Sequence, residues 1–223
     1  CYGGATAAQH SDPPGRVARL SHAEGALSSS PGGEDEWYDI SRNRPLAQGG
    51  RMWADDNSRA ELQVGSGAIR LDEKTSIEFL ALDDEFVQIQ LTEGSLNVNV
   101  GRMHRGQSIE IDTPNLAFVI DQAGQYRIDA DYQGQFTTIV DWEGESTVYG
   151  LNDSVVLRAG DVQRFYGTDL RDYEAYDMPR PDDFDRYCLN RDRRRGSSES
   201  LRYVSDDVVG YWDLDQYGRW SSD

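Results

Sequence analysis

The chain has 223 residues, enough to bury a full core as one large or two small domains. Its 40 acidic side chains outweigh 22 basic ones, a formal net charge of −18, which leaves no basic stripe for nucleic acid and nothing to draw it onto anionic lipid. No run of eighteen apolar residues occurs, so no segment reads as a membrane-spanning helix.

Residues 1–15 are small and polar and end in Asp12-Pro13-Pro14-Gly15, the composition of a stiff leader. Cys1 admits three readings. It suits the lipid-bearing cysteine left when a signal peptide is cut from a bacterial lipoprotein, a disulfide partner for Cys188, or an arbitrary start. Either of the first two implies life outside the cytoplasm, and a lipid on Cys1 would be the one membrane contact.

A β body is expected over residues 16–166. Val87, Ile89 and Leu91 alternate with Gln88 and Gln90, Leu96, Val98 and Val100 with Asn97 and Asn99, and Ile109 and Ile111 flank Glu110. Period two puts an apolar face on a core and a polar face outward. Thr92-Glu93-Gly94 reads as the turn of a hairpin between the first two runs. Further strands are expected at 51–53, 60–64, 68–71, 76–79, 126–130, 137–142, 146–149, 155–157 and 162–165. Short strands between glycines at such spacing indicate an all-β fold, a sandwich or an irregular solenoid. Glu-Gly recurs between strands at Glu24-Gly25, Glu93-Gly94 and Glu143-Gly144; the steps of 69 and 50 positions rule out a regular repeat.

Residues 167–223 change character. Acidic residues follow Pro181 and arginines crowd 191–195 before Gly196, which predicts a short helix over 183–194. Beyond it Tyr203, Tyr211, Trp212, Tyr217 and Trp220 stand among Asp and Gly with few aliphatic neighbours, so they are expected to hold a partner or cover the body. Asp213, Asp215 and Gly218 imitate the start of a calcium loop, but Tyr217 holds the fifth position and an acidic turn is preferred. Trp53 and Trp142 sit in strands and are expected in the core.

Little here suggests chemistry. His10, His22 and His104 stand apart from any Ser, Cys or second His at useful spacing. Acidic pairs such as Asp55-Asp56 and Asp83-Asp84 suit a solvated face. No catalytic residue, metal or cofactor is assigned.

Four segments carry a family likeness: residues 45–53 (PLAQGGRMW), 58–64 (SRAELQV), 91–98 (LTEGSLNV) and 111–115 (IDTPN). In that order they resemble the FecR domain, with its L-x-x-G-x-hydrophobic hairpin and T-P-x-A segment, although Ala117 follows Thr113-Pro114 at a slightly longer distance. Residues 157–161 look like the family's last turn. The tail is similar to a secreted Gram-negative branch with Tyr-Gly-x-Trp repeats, for which the resemblance implies no enzymatic activity. It implies an extracytoplasmic module of the cell envelope that binds another protein. The alternative is a structural subunit of a filament or other homopolymer, whose partner is its own copy, held by the leader and the aromatic tail.

Overall fold

The computed structural model describes residues 17–204, 210–211 and 214–217. Within them the chain winds back and forth between two sheets. β1 (Ala18–Glu24) lies in the first sheet, and β2 (Leu27–Ser30) and β3 (Tyr38–Asp39) in the second. β4 (Pro45–Leu46) returns to the first, β5 (Arg51–Ala54) joins the second, and β6 (Arg59–Val64) and β7 (Gly67–Leu71) form a first-sheet hairpin. β8 (Thr75–Leu82) is in the second sheet, and β9 (Phe86–Val100) belongs to both. β10 (Ser108–Asp112) and β11 (Ala117–Ile120) lie in the second, β12 (Gly124–Ala130) and β13 (Phe136–Glu143) in the first. β14 (Glu145–Tyr149) and β15 (Ser154–Arg158) close the second sheet, β16 (Val162–Tyr166) and β17 (Asp172–Ala175) the first.

Read by pairing, the first sheet runs β4-β1-β6-β7-β9-β12-β13-β16-β17, antiparallel throughout. The second runs β3-β2-β5-β8-β9-β10-β11-β14-β15, and only β9–β10 is parallel. One core lies between them. Leu20, Leu62, Ile69, Leu96 and Ile128 enter it from the first sheet, Met52, Phe79, Ile89, Phe118 and Leu157 from the second. The expected all-β fold is therefore an irregularly wound sandwich, and each of the nine further strands expected from the sequence forms.

The hairpin expected at Thr92-Glu93-Gly94 does not form. β9 stays extended for 15 residues, pairing with β8 up to Glu93 and with β7 and β12 from Gly94 on. Gly94 has φ +96°, a conformation that only glycine adopts cheaply, and it redirects the strand from one sheet to the other. The other two Glu-Gly steps do the same. Gly25 (φ +73°) leads β1 into β2, and Gly144 (φ +100°) leads β13 into β14. After each glycine the next N–H donates to a hydroxyl from another strand or loop: Ala26 to Ser58 Oγ at 2.8 Å, Ser95 to Thr75 Oγ1 at 3.0 Å, and Glu145 to the Tyr126 hydroxyl at 3.1 Å. A Cβ on any of these glycines would overlap that same hydroxyl. The sequence echo is thus a repeated corner.

The predicted helix is α1 (Asp183–Gly196). Asp182 caps it in a reciprocal capping box with Asp185, and Arg193, Arg194 and Arg195 occupy its last turn. Its buried side chains are Phe184, Asp185, Cys188 and Arg195. It lies on the outer face of the first sheet and buries a row expected to face water. Asn97, on the polar side of β9, is 1% exposed.

Candidate functional site

The outer face of the first sheet carries a row of polar residues set side by side by strand register. Glu61 of β6 is opposite Arg70 of β7, Arg70 opposite Asn97 of β9, and Asn97 opposite Arg127 of β12. α1 lies across this row and matches its charges. Arg70 Nε donates to Glu61 at 2.8 Å, and its two terminal nitrogens grip both oxygens of Asp192 at 2.6 and 3.1 Å. Arg191 grips both oxygens of Glu61 at 2.7 and 3.2 Å, and Ser21 adds a donor at 2.8 Å. The Glu61 and Arg70 side chains are fully buried. Burial alone would raise the Glu61 carboxyl, but hydrogen bonds from Arg191 and the charge of Arg70 hold it down at about 2. Two cations and two anions cancel, so the cluster clamps the helix without leaving a charge to attract a ligand.

Beside the clamp the helix start walls a cleft of about 360 Å³. Val140, Trp142 and Val162 form its floor on β13 and β16. One wall is Arg127, held by Asp129 at 2.9 Å, Asp182 at 2.6 Å and Asp185 at 3.1 Å, with its guanidinium 5.5 Å from the Phe184 ring. The other wall is Arg164 with the segment from Tyr176 to Arg180. Arg164 lies 4.5 Å from the Phe136 ring and 5.5 Å from Tyr176, and donates to Thr138 at 3.0 Å. Arg180 is exposed at the rim. The lining holds no His, Ser or Cys. It offers an indole face, aliphatic floor and arginine donors, the chemistry of a binding surface.

The residues singled out in the sequence fall elsewhere. Tyr203 is exposed, at the end of a 3-10 turn over Glu199–Arg202. Tyr211 is 3% exposed, packed on its own chain with its hydroxyl donating to the Arg195 carbonyl at 3.4 Å. Tyr217 ends the one-turn helix α2 (Leu214–Tyr217), while Trp212, Trp220 and Cys1 lie outside the described residues. Cys188 is a free thiol on the buried face of α1, and burial pushes its pKa up to about 12, so it stays protonated and inert. Asp215, of the imitation calcium loop, accepts hydrogen bonds from Ser198, Glu199 and Ser200 and caps that 3-10 turn.

The two tryptophans are not in the core. Met52 and Ala54 take the inward positions on β5 and Asp141 the inward position on β13, which leaves Trp53 and Trp142 half-buried on outer faces. Clamp and cleft escaped the sequence analysis because each draws on strands far apart in the chain. The one local signal was Glu61 and Arg70, opposite charges placed symmetrically about Gly65-Ser66 in a hairpin.

No protein-family model matches the chain, and no curated protein matches it. Two solved structures, of a provisionally assigned anti-sigma factor from Parabacteroides distasonis ATCC 8503, resemble it at TM-score 0.50 with 12% and 11% identity. The match covers 57% of this chain and 59% of those, so the chain spans about three-fifths of their length. That likeness is one of fold: a β-rich architecture shared at an identity too low to carry a function across.

Proposed function

We propose that the chain is a non-enzymatic protein-interaction module of the Gram-negative cell envelope, outside the cytoplasm, and a FecR-like domain whose C-terminal helix shapes its binding cleft. The cleft is the observation that carries this. Its Trp142 face, its Val140–Val162 floor and its arginines suit a protein segment that presents apolar and acidic side chains together. Asp129, Asp182 and Asp185 are committed to Arg127, which leaves Arg164, Arg180 and the exposed Asp177 to meet a partner. A regulatory, protein-binding role also fits a fold shared with structures described as those of an anti-sigma factor.

The test is a photo-crosslinking amino acid in place of Trp142, with the protein expressed in its own cells. A crosslink to one envelope protein is expected, lost in the Arg164→Ala, Tyr176→Ala double variant, and fractionation should place the chain outside the cytoplasm. A crosslink that persists in the double variant, or a cytoplasmic chain, would sink the reading.

A further inference from the structure

The cleft beside α1 has a direction. Arg127 and the helix start wall it on the β12 side, Arg164 and the segment after β17 wall it on the β16 side, and the floor between them follows β13. Thr138, Val140 and Trp142 stand on β13 at every second residue and share its outer face. Trp142 and Asp185 also line a smaller hollow of about 50 Å³ with Gln125, Pro181 and Leu189. The groove therefore extends past the indole toward an apolar end.

The two walls differ in charge. Three carboxylates surround the one guanidinium of Arg127, so that wall is anionic and repels an acid. Arg164, opposite Thr138 on the other side of the floor, is held in place with its fork open. Its Nε donates to Thr138 at 3.0 Å, and its guanidinium lies 4.5 Å from the centre of the Phe136 ring and 5.5 Å from that of Tyr176. Its two terminal nitrogens donate to no group among the described residues. Glu174, its neighbour on β17, accepts from the Tyr166 and Tyr176 hydroxyls and forms no ion pair with it. Asp177 and Arg180, both exposed on the wall segment, offset each other in charge. A guanidinium already fixed at one nitrogen and between two rings loses little freedom when its fork takes a carboxylate.

We propose that the cleft reads an extended peptide segment laid along β13, with a carboxylate on Arg164, an apolar residue over Val140 and Val162, and an aromatic or large aliphatic residue on Trp142. This rests on the protein-binding reading above and names what the bound segment must carry. Both chains rise by about 3.3 Å per residue, so the three contacts fall on alternate positions of the segment. Acid and aromatic then stand four residues apart, about 13 Å. The spacing is the same for either chain direction. The acid belongs at Arg164 because the opposite wall carries excess negative charge, and the large apolar side chain belongs at Trp142 because the hollow beyond it ends on Pro181 and Leu189.

Fluorescence anisotropy of the full chain with two labelled peptides, Gly-Gly-Glu-Ser-Val-Ser-Phe-Gly-Gly and its reverse, tests this. One of the two should bind. Inserting a serine between its Glu and Val turns the carboxylate to the opposite face and should weaken binding at least about tenfold. Replacing Glu by Gln in the peptide should cost a similar factor with the native protein and no more than about twofold with Arg164→Gln. Arg164→Lys, which keeps the charge and loses the fork, should retain part of that discrimination. Trp142→Ala should remove the advantage of the Phe peptide over its Ala counterpart, and thermal melts check that each variant is folded. Equal affinity for the shifted peptide, a Glu-to-Gln loss that persists in Arg164→Gln, or no binding of either peptide overturns the proposal. So does displacement by inorganic phosphate at equal concentration, which would make Arg164 a plain anion site. A Trp142 crosslink to an envelope protein alongside any of these results leaves the protein-binding reading standing and removes only the register.

Discussion

Asp141 occupies an inward position of β13 with none of its side chain exposed. Ser146 donates to Oδ2 at 2.7 Å, and Oδ1 has no hydrogen-bond partner. Burial raises its pKa from 3.8 to about 7, with Asp161 and Asp121 adding to the effect. The folded state therefore holds this proton more tightly than the unfolded chain. Its contribution to stability is complete below pH 3.8 and is lost as pH rises through about 7. The change across that window is at most about 4 kcal/mol. Glu61, held at about 2, acts oppositely: its contribution is complete above 4.5 and is lost as pH falls toward 2. Urea melts should show stability declining from pH 5 to pH 8, and Asp141→Asn should flatten that decline and be the more stable protein at pH 8. Equal slopes for the two proteins would rule this out. The alternation of β13 was legible in the sequence. That Asp141 takes the core side and Trp142 the cleft side was not, because strand parity is set by the partner strands and the corner at Gly144.

At the scale of elements, α1 was legible to within two residues because its capping box, acidic first turn and terminal arginines are local signals. What it covers was not. Asn97 and Glu61 look solvent-facing by alternation, and only the docked helix makes them interior. Removing one member of a buried ion cluster leaves others unpaired, so Arg70→Met should destabilise the protein by about 3–5 kcal/mol. Replacing all four charges together, with Glu61→Leu, Arg70→Met, Arg191→Leu and Asp192→Leu, should cost less than the single change. Chemical denaturation compares the two directly, and a quadruple variant worse than Arg70→Met would refute the account of the clamp. The corners make a parallel case. Glu-Gly was visible three times, yet its meaning as a passage between sheets depends on Ser58, Thr75 and Tyr126 arriving from elsewhere. Gly94→Ala would force a positive φ on a residue with a Cβ and push that Cβ into Thr75 and the Lys74 carbonyl. A loss of more than about 2 kcal/mol is expected, against about 1 kcal/mol or less for Ser95→Ala in the same corner.

For the whole molecule the question is whether the tail serves its own body or a neighbour. The aromatic residues among Asp and Gly favoured a partner when only composition was in view, since sequence does not show where a polar tail folds back. The described part of the tail folds back. Gly210 N–H donates to Gln63 of β6 at 2.6 Å, Tyr211 is buried with its hydroxyl on the Arg195 carbonyl, and the Asp215 carboxylate caps residues 198–200. These contacts tie the end of α1 and the turn after it to the first sheet, so the tail also steadies the helix that walls the cleft. Burying a tyrosine such as Tyr211 removes apolar area from water worth about 25 cal/mol per Å². Truncation after Val204 should therefore lower monomer stability by about 2–4 kcal/mol, which in a chain of this size is a fall of about 5–15 °C in Tm. Asp215→Asn should reproduce part of that fall. An unchanged Tm in the truncated protein would return the tail to the role of docking onto another molecule.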